Sequence, residues 1–222
     1  MKTLKKSSAL LFQLIILNYN QMKLSDFKKK MQKGIFSFQE AGLIAFDTSP
    51  QVLKLELHQW VKRGELIRLK RGVYGFAEFL KDKNEIARAL YSPSYISLEY
   101  ALHFYGLLPD VVFSVTLVTP KITRHFQTPW GEFIYHKIRQ DLFWGFDPKT
   151  MMGEKEKVLL DYLYLNQHRL VPKADFWETL RFQNLNTINF KKAESLAKKF
   201  GSQKVSEFLK SLTEYGKNYG KT

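Results

Sequence analysis

The sequence predicts an α+β chain of two parts, and three observations predict it. Residues 22–80 read as short helices closed by a basic β-hairpin. Residues 84–222 mix β-branched, strand-like runs with amphipathic helices. A charged stretch, with Glu78, Lys81, Asp82 and Lys83, separates them and leads to Asn84 as a helix cap. At 222 residues and 45% hydrophobic content, the chain has the length for two small domains and enough apolar sequence for a core. It has no cysteine. That excludes disulfides, thiolate nucleophiles, iron–sulfur clusters and cysteine-ligated zinc.

Charge narrows the class of partner. The chain has 35 Lys and Arg against 21 Asp and Glu, a net charge of +14. By segment this is +3 over 1–21, +5 over 22–80, +1 over 81–150 and +5 over 151–222. Two basic ends flank a nearly neutral middle. Such a balance points to a polyanion, nucleic acid ahead of an anionic membrane surface.

Residues 1–21 begin with three lysines and an apolar run from Ala9 to Leu17, broken by Gln13. The run is too short to span a bilayer. Asn18-Tyr19-Asn20-Gln21 offers no small-residue cleavage site. The expectation is a cytoplasmic protein whose extension 1–21 lies outside the fold, with Met22 an alternative start of translation.

From Met22 the elements follow in order. Ser25 and Asp26 can cap a helix to about Gln32, ended by Gly34. Ser37 and Glu40 have capping-box spacing for the next helix, with Ala41, Leu43 and Ile44 apolar. Ser49 before Pro50 is a strong start for a helix running to Arg63, with Gly64 as its stop. Residues 66–76 then change period and read as a hairpin turning at Arg71-Gly72. Beyond the junction, a helix from Asn84 to Tyr91 precedes a longer one over 95–107 capped by Ser97. A strand over 112–120 and a hairpin over 122–138 follow. A helix after Gly153 uses Val158, Leu159, Tyr162 and Leu163 as its apolar stripe. Two basic helices, 190–200 and 203–215, complete the chain.

Three helices followed at once by a basic hairpin is the order of a winged helix-turn-helix. One helix enters the major groove and the hairpin lies against phosphates. The helix 50–63 has the two faces this needs. Leu53, Leu57, Trp60 and Val61 form an apolar stripe. Gln51, Lys54, His58 and Lys62 form a polar and basic one. Gln51 suits adenine, and Lys54 suits guanine or phosphate. Ser49 and the first helical N–H groups suit a phosphate. Arg63, Arg68, Lys70 and Arg71 add contacts to the DNA backbone. A basic helix face can also be merely solvated, and winged helices also dock proteins.

The run WVKRGELIRLKRGVYGF (60–76), then YISLEYALHFYGL (95–107), FSVTLVTP (113–120) and EKVLLDYLY (156–164), resembles the AbiEi-type antitoxins. These belong to bacterial abortive-infection and type IV toxin–antitoxin systems. Tyr95 to Glu99 with Ala101, Leu102 and Gly106, and Glu156-Lys157 with Leu159-Leu160-Asp161, are its more specific strings. The resemblance implies an N-terminal winged helix-turn-helix (22–80) and a mixed α/β C-terminal antitoxin domain (84–222). It implies a non-enzymatic autorepressor without cofactors. Its partners would be double-stranded promoter DNA, on which it could dimerise, and a nucleotidyltransferase-like toxin encoded nearby. The extension 1–21 and the sequence Gly153-Glu154-Lys155 depart from the family pattern.

The sequence offers two enzyme-like arrangements. Asp110, then Asp147 and Lys149, imitate the carboxylate and acid-x-Lys pattern of magnesium-dependent nucleases. Pro148 argues against the strand that such a motif needs. His125 and His136 could face each other across the 122–138 hairpin. Lys157 and Asp161 have the i, i+4 spacing of an ordinary helix ion pair. Phe143-Trp144-Gly145-Phe146 sits in an expected loop and could cover the domain junction or meet a partner. The C-terminal lysines could be a solvated face, a second DNA contact or a toxin-docking surface.

Overall fold

The computed structural model describes residues 22–80 and 82–219, so the expectations for residues 1–21 lie outside the described residues. The chain divides into two compact units, one ending at residue 81 and the other beginning at Asp82.

The first unit runs α1 (Leu24–Met31), β1 (Ile35–Ser37), α2 (Phe38–Ile44), α3 (Pro50–Lys62), β2 (Ile67–Lys70) and β3 (Val73–Gly75). Its caps follow local chemistry. The Ser37 hydroxyl accepts the Glu40 N–H at 3.2 Å, and Glu40 Oε2 accepts the Ser37 N–H at 2.8 Å. Ser49 accepts the Val52 N–H at 3.4 Å, with Pro50 at the first helical position. The start of α1 differs from expectation. Its N-cap is Lys23, without a side-chain bond, and Asp26 lies inside the first turn, where a carboxylate favours the helix dipole. The helix ends at Gln32 in the left-handed region, before Gly34.

The strand β1 was not expected. It pairs antiparallel with β3, which also pairs antiparallel with β2, giving the sheet order β1-β3-β2. Three residues carry too little periodicity to register as a strand. The pairing of β1 with a segment forty residues on, as Ile35↔Gly75 shows, defines it. Phe27, Phe36, Leu53, Leu57, Trp60 and Phe76 close the core between helices and sheet. Phe27 packs edge-on to Phe36 at 5.3 Å between ring centroids and lies 5.2 Å from Trp60.

The second unit runs α4 (Lys83–Leu90), β4 (Tyr95–Ile96), α5 (Leu98–Phe104), β5 (Val115–Thr119), β6 (Arg124–Thr128) and β7 (Gly131–Lys137). It continues with α6 (Lys155–Leu165), α7 (Ala174–Thr179), α8 (Phe190–Ala197) and α9 (Gln203–Tyr219). The sheet order is β4-β5-β7-β6, with β5 and β7 parallel and the other pairs antiparallel. Asp82, rather than Asn84, caps α4 by accepting the Asn84 N–H at 2.8 Å. The Asn84 amide instead donates to the Thr150 carbonyl at 3.0 Å.

The single helix expected over 95–107 is a strand followed by a shorter helix. Tyr95 and Ile96 pair with β5, and Leu98 takes a φ of 59°. Ser97 holds the N-cap position of α5, but its hydroxyl donates to Asp161 Oδ2 at 3.0 Å. The short helix α7 was also not anticipated. Close packing surrounds Gly153. A Cβ at this residue would stand 2.8 Å from a Val158 methyl and 3.2 Å from the Ile96 carbonyl.

Helix α6 is buried on every side from Glu156 to Leu163, not along one stripe. Lys157 and Asp161 are fully buried, which corrects their reading as an ordinary helix pair. The Lys157 ammonium bonds Asp161 and lies 2.7 Å from the Tyr95 hydroxyl, which donates to Asp161 Oδ2 at 2.7 Å. The rings of Trp144 and Phe200 stand 4.9 and 5.1 Å from the same ammonium. Burial pushes the Asp161 carboxyl up and the Lys157 ammonium down, and their mutual attraction opposes both. Phe146 stacks on Tyr95 at 4.7 Å and Phe143 packs on both, so this loop is spent within the second unit.

Candidate nucleic-acid interface

Helix α3 divides by exposure as its spacing requires. Leu53, Leu57 and Trp60 are buried, and Val61 is half-buried. Gln51, Lys54, His58 and Lys62 are exposed along the opposite face. The cap that starts the helix also fixes where Gln51 stands, one residue past Pro50. Ser49 is half-buried and its oxygen is engaged with Val52, while its O–H stays available as a donor.

The hairpin supplies the rest. β2 and β3 pair as Ile67↔Gly75 and Arg68↔Tyr74, and the register shifts before Lys70↔Val73. The turn needs Gly72, whose φ is +75° and whose carbonyl accepts the Phe38 N–H at 2.8 Å. Arg68 and Arg71 are exposed, and Lys70 is half-buried. Lys54, Lys62, Arg68 and Arg71 form no ion pair with a described acidic residue. Arg63 does, holding Glu65 at 3.0 Å, so it reaches toward a phosphate only by giving up that carboxylate.

Three features of this unit were not foreseen. Leu43 and Phe46 stand 78% and 84% exposed on α2 and on the turn into α3. Leu43 has the apolar spacing of its helix, but the core there is taken by Ala41 and Ala45. Glu56 is the one acid of α3, and its Oε2 is buried without a hydrogen-bond partner among the described residues. Burial, with help from the neighbouring charge of Asp47, pushes its carboxyl upward against a hydrogen bond from the Met22 backbone.

Residues 30–77 match the family model described as a transcriptional regulator, AbiEi antitoxin. The AbiEi-type resemblance holds over this winged helix. The match begins in α1 and ends just after β3, so it takes in α3 and the hairpin and covers none of the second unit. No curated protein matches the chain.

The enzyme-like constellations do not assemble among the described residues. No group of three His, Asp or Glu side chains there is placed to hold a metal ion. Asp110 pairs with Arg181 at 3.0 Å. Asp147 accepts the Lys149 N–H at 2.8 Å and the Thr150 hydroxyl at 3.0 Å, the self-contained bonding of a turn. His125 pairs with Glu132 at 2.6 Å instead of His136. Among the C-terminal lysines, Lys192 is held by Glu154 at 2.9 Å and Glu156 at 3.1 Å, and Lys199 lies 4.7 Å from the Trp144 ring. Lys191, Lys198, Lys204, Lys210 and Lys217 are exposed. No helix among the described residues is long and apolar enough to cross a membrane.

Proposed function

We propose that the AbiEi-type winged helix binds double-stranded promoter DNA and represses the operon that encodes it. In this reading the C-terminal domain from residue 84 onward serves as the antitoxin to a nucleotidyltransferase-like toxin encoded nearby. The observation that carries the first part is the exposed face of α3, with Gln51, Lys54, His58 and Lys62, followed directly by the Arg68 and Arg71 flap.

The roles divide by chemistry. Gln51 and Lys54, near the N-terminal end of α3, read base edges. His58 and Lys62, one and two turns on, follow the groove. Ser49 and the adjoining N–H groups take a phosphate at the positive end of the helix. Arg68, Lys70, Arg71 and, once freed from Glu65, Arg63 neutralise neighbouring phosphates. In this reading the protein is a cytoplasmic, non-enzymatic regulator without a cofactor. A palindromic operator would bring two chains to one site as a dimer on DNA.

The test is a mobility-shift titration of the chain's own promoter against a scrambled duplex. Preferential, salt-steep binding supports the reading. Equal binding to both duplexes defeats the regulatory part. Toxin neutralisation is a separate measurement, by co-expression with the neighbouring reading frame.

A further inference from the structure

The strands β1, β2, β4 and β6 stand at the edges of the two sheets. An edge offers unspent N–H and C=O groups to any other strand, and proteins blunt it by shortness, bulges, charge or a covering segment. β1 has three residues and β4 two, and Ile96 of β4 also bridges Met152. β2 carries Arg68 and Lys70, with a shifted register between them. β6 lacks these devices, apart from the charge of Arg124 at its first position. It runs five residues in unbroken register with β7 and contains neither proline nor lysine. The backbones of Arg124, His125, Gln127 and Thr128 form no backbone hydrogen bond to a described residue outside β7.

The sequence of β6 is complementary to itself. Laid antiparallel on a second copy about Phe126, Arg124 faces the partner's Thr128 and His125 faces the partner's Gln127. Arg124 therefore meets a neutral residue, and no cation meets another arginine. Phe126 meets its own copy on the axis, an aromatic cross-strand pair. Within its own chain this ring already packs edge-on against Tyr135 at 5.7 Å, which holds it in place. Just outside the strand, Ile122, 54% exposed, comes opposite the partner's Trp130.

We propose that β6 pairs with β6 of a second copy of this chain, joining two second units into one continuous sheet across a two-fold axis. Self-complementarity is what such an isologous contact requires, and the pairing closes because each chain spends the same edge. The inference is independent of promoter recognition, because β6 belongs to the second unit and the pairing needs no DNA.

The experiment is sedimentation velocity of the full chain without DNA, from about 1 to about 100 µM. The expected result is a concentration-dependent dimer. His125→Lys with Gln127→Lys sets lysine opposite lysine on both sides of the axis, and like charges directly opposite destabilise a pair. Both positions are exposed, and a lysine at 125 can keep the contact with Glu132. This double variant should weaken dimerisation by about tenfold or more while the melting temperature holds. The second measurement uses the absence of native cysteine. Residues directly opposite lie about 4.5–5.5 Å apart at Cα, within disulfide reach, whereas diagonal ones at about 7–8 Å are not. His125→Cys chains mixed with Gln127→Cys chains should therefore link into a disulfide-bonded dimer, and neither should link readily alone. A chain that stays monomeric at about 100 µM would overturn the proposal. So would a dimer that survives the double lysine variant, or cysteine chains that link as readily alone as mixed.

Discussion

At the scale of single residues, the two ends of the account rest on opposite uses of charge. Lys54 is exposed and forms no ion pair among the described residues, whereas Lys157 is fully buried and surrounded by Asp161, Tyr95 and two further rings. Their substitutions should fail differently. Lys54→Ala or Gln51→Ala is expected to leave the melting temperature unchanged and to cost about 1–3 kcal/mol at particular base pairs. Binding to a set of single-base operator variants checks this. A uniform loss across all variants would instead make these residues backbone contacts. Lys157→Ala is expected to leave Asp161 charged and buried, and to destabilise the protein by about 3–5 kcal/mol in denaturant melts. The paired replacement Lys157→Met with Asp161→Leu should recover most of that loss. The buried state of this pair was not legible in the sequence. A Lys and an Asp four residues apart look the same on a solvated helix as on a central one. What surrounds the Lys157 ammonium is Tyr95, Trp144 and Phe200, and these come from three distant segments.

At the scale of elements, legibility followed the amount of local chemistry. The capping box at Ser37 and Glu40 and the Ser49-Pro50 start of α3 are written in adjacent residues, and the structure forms both. The strands β1 and β4 and the helix α7 are made by partners elsewhere in the chain. Two or three residues of β1 or β4 hold no readable period of their own. The capping box gives a prediction with a definite sign. Hydrogen bonds from Lys33 and then from the Ser37 backbone lower the Glu40 carboxyl from 4.5 to about 2. A carboxylate lowered on folding stabilises the native state above its unfolded value, and that contribution is lost as pH falls from about 4.5 toward about 2. Glu40→Gln should therefore lower the melting temperature near neutral pH, and the gap from wild type should close as pH falls through that range. A gap that stays constant would show that the charge of Glu40 contributes nothing to the cap. The hairpin makes a second test. Arg68→Gln and Arg71→Gln should each flatten the salt dependence of promoter binding by about one unit, without changing which operator is preferred.

For the whole molecule, the fold class and the family resemblance were legible because they depend on element order and charge. Helices, then a basic hairpin, then a mixed α/β part can be read without knowing any long-range contact. The candidate interface was legible for the same reason: α3 carries its own two faces. The surroundings of Lys157 were not, since Tyr95, Trp144, Asp161 and Phe200 come together around it only after the second unit folds. A net charge of +14 also means that nonspecific attraction to DNA is expected from the composition alone. Binding by itself therefore says little, and the decisive quantity is the difference between sequences and its change with salt. The most direct measurement is a fluorescence-anisotropy titration of the full chain on its own promoter and on a scrambled duplex, from about 50 to about 200 mM salt. The account predicts tighter binding to the promoter throughout, with a log–log slope that flattens by about two units in the Arg68→Gln, Arg71→Gln double variant. Equal affinity for the two duplexes, with a slope that the double variant leaves unchanged, would contradict it.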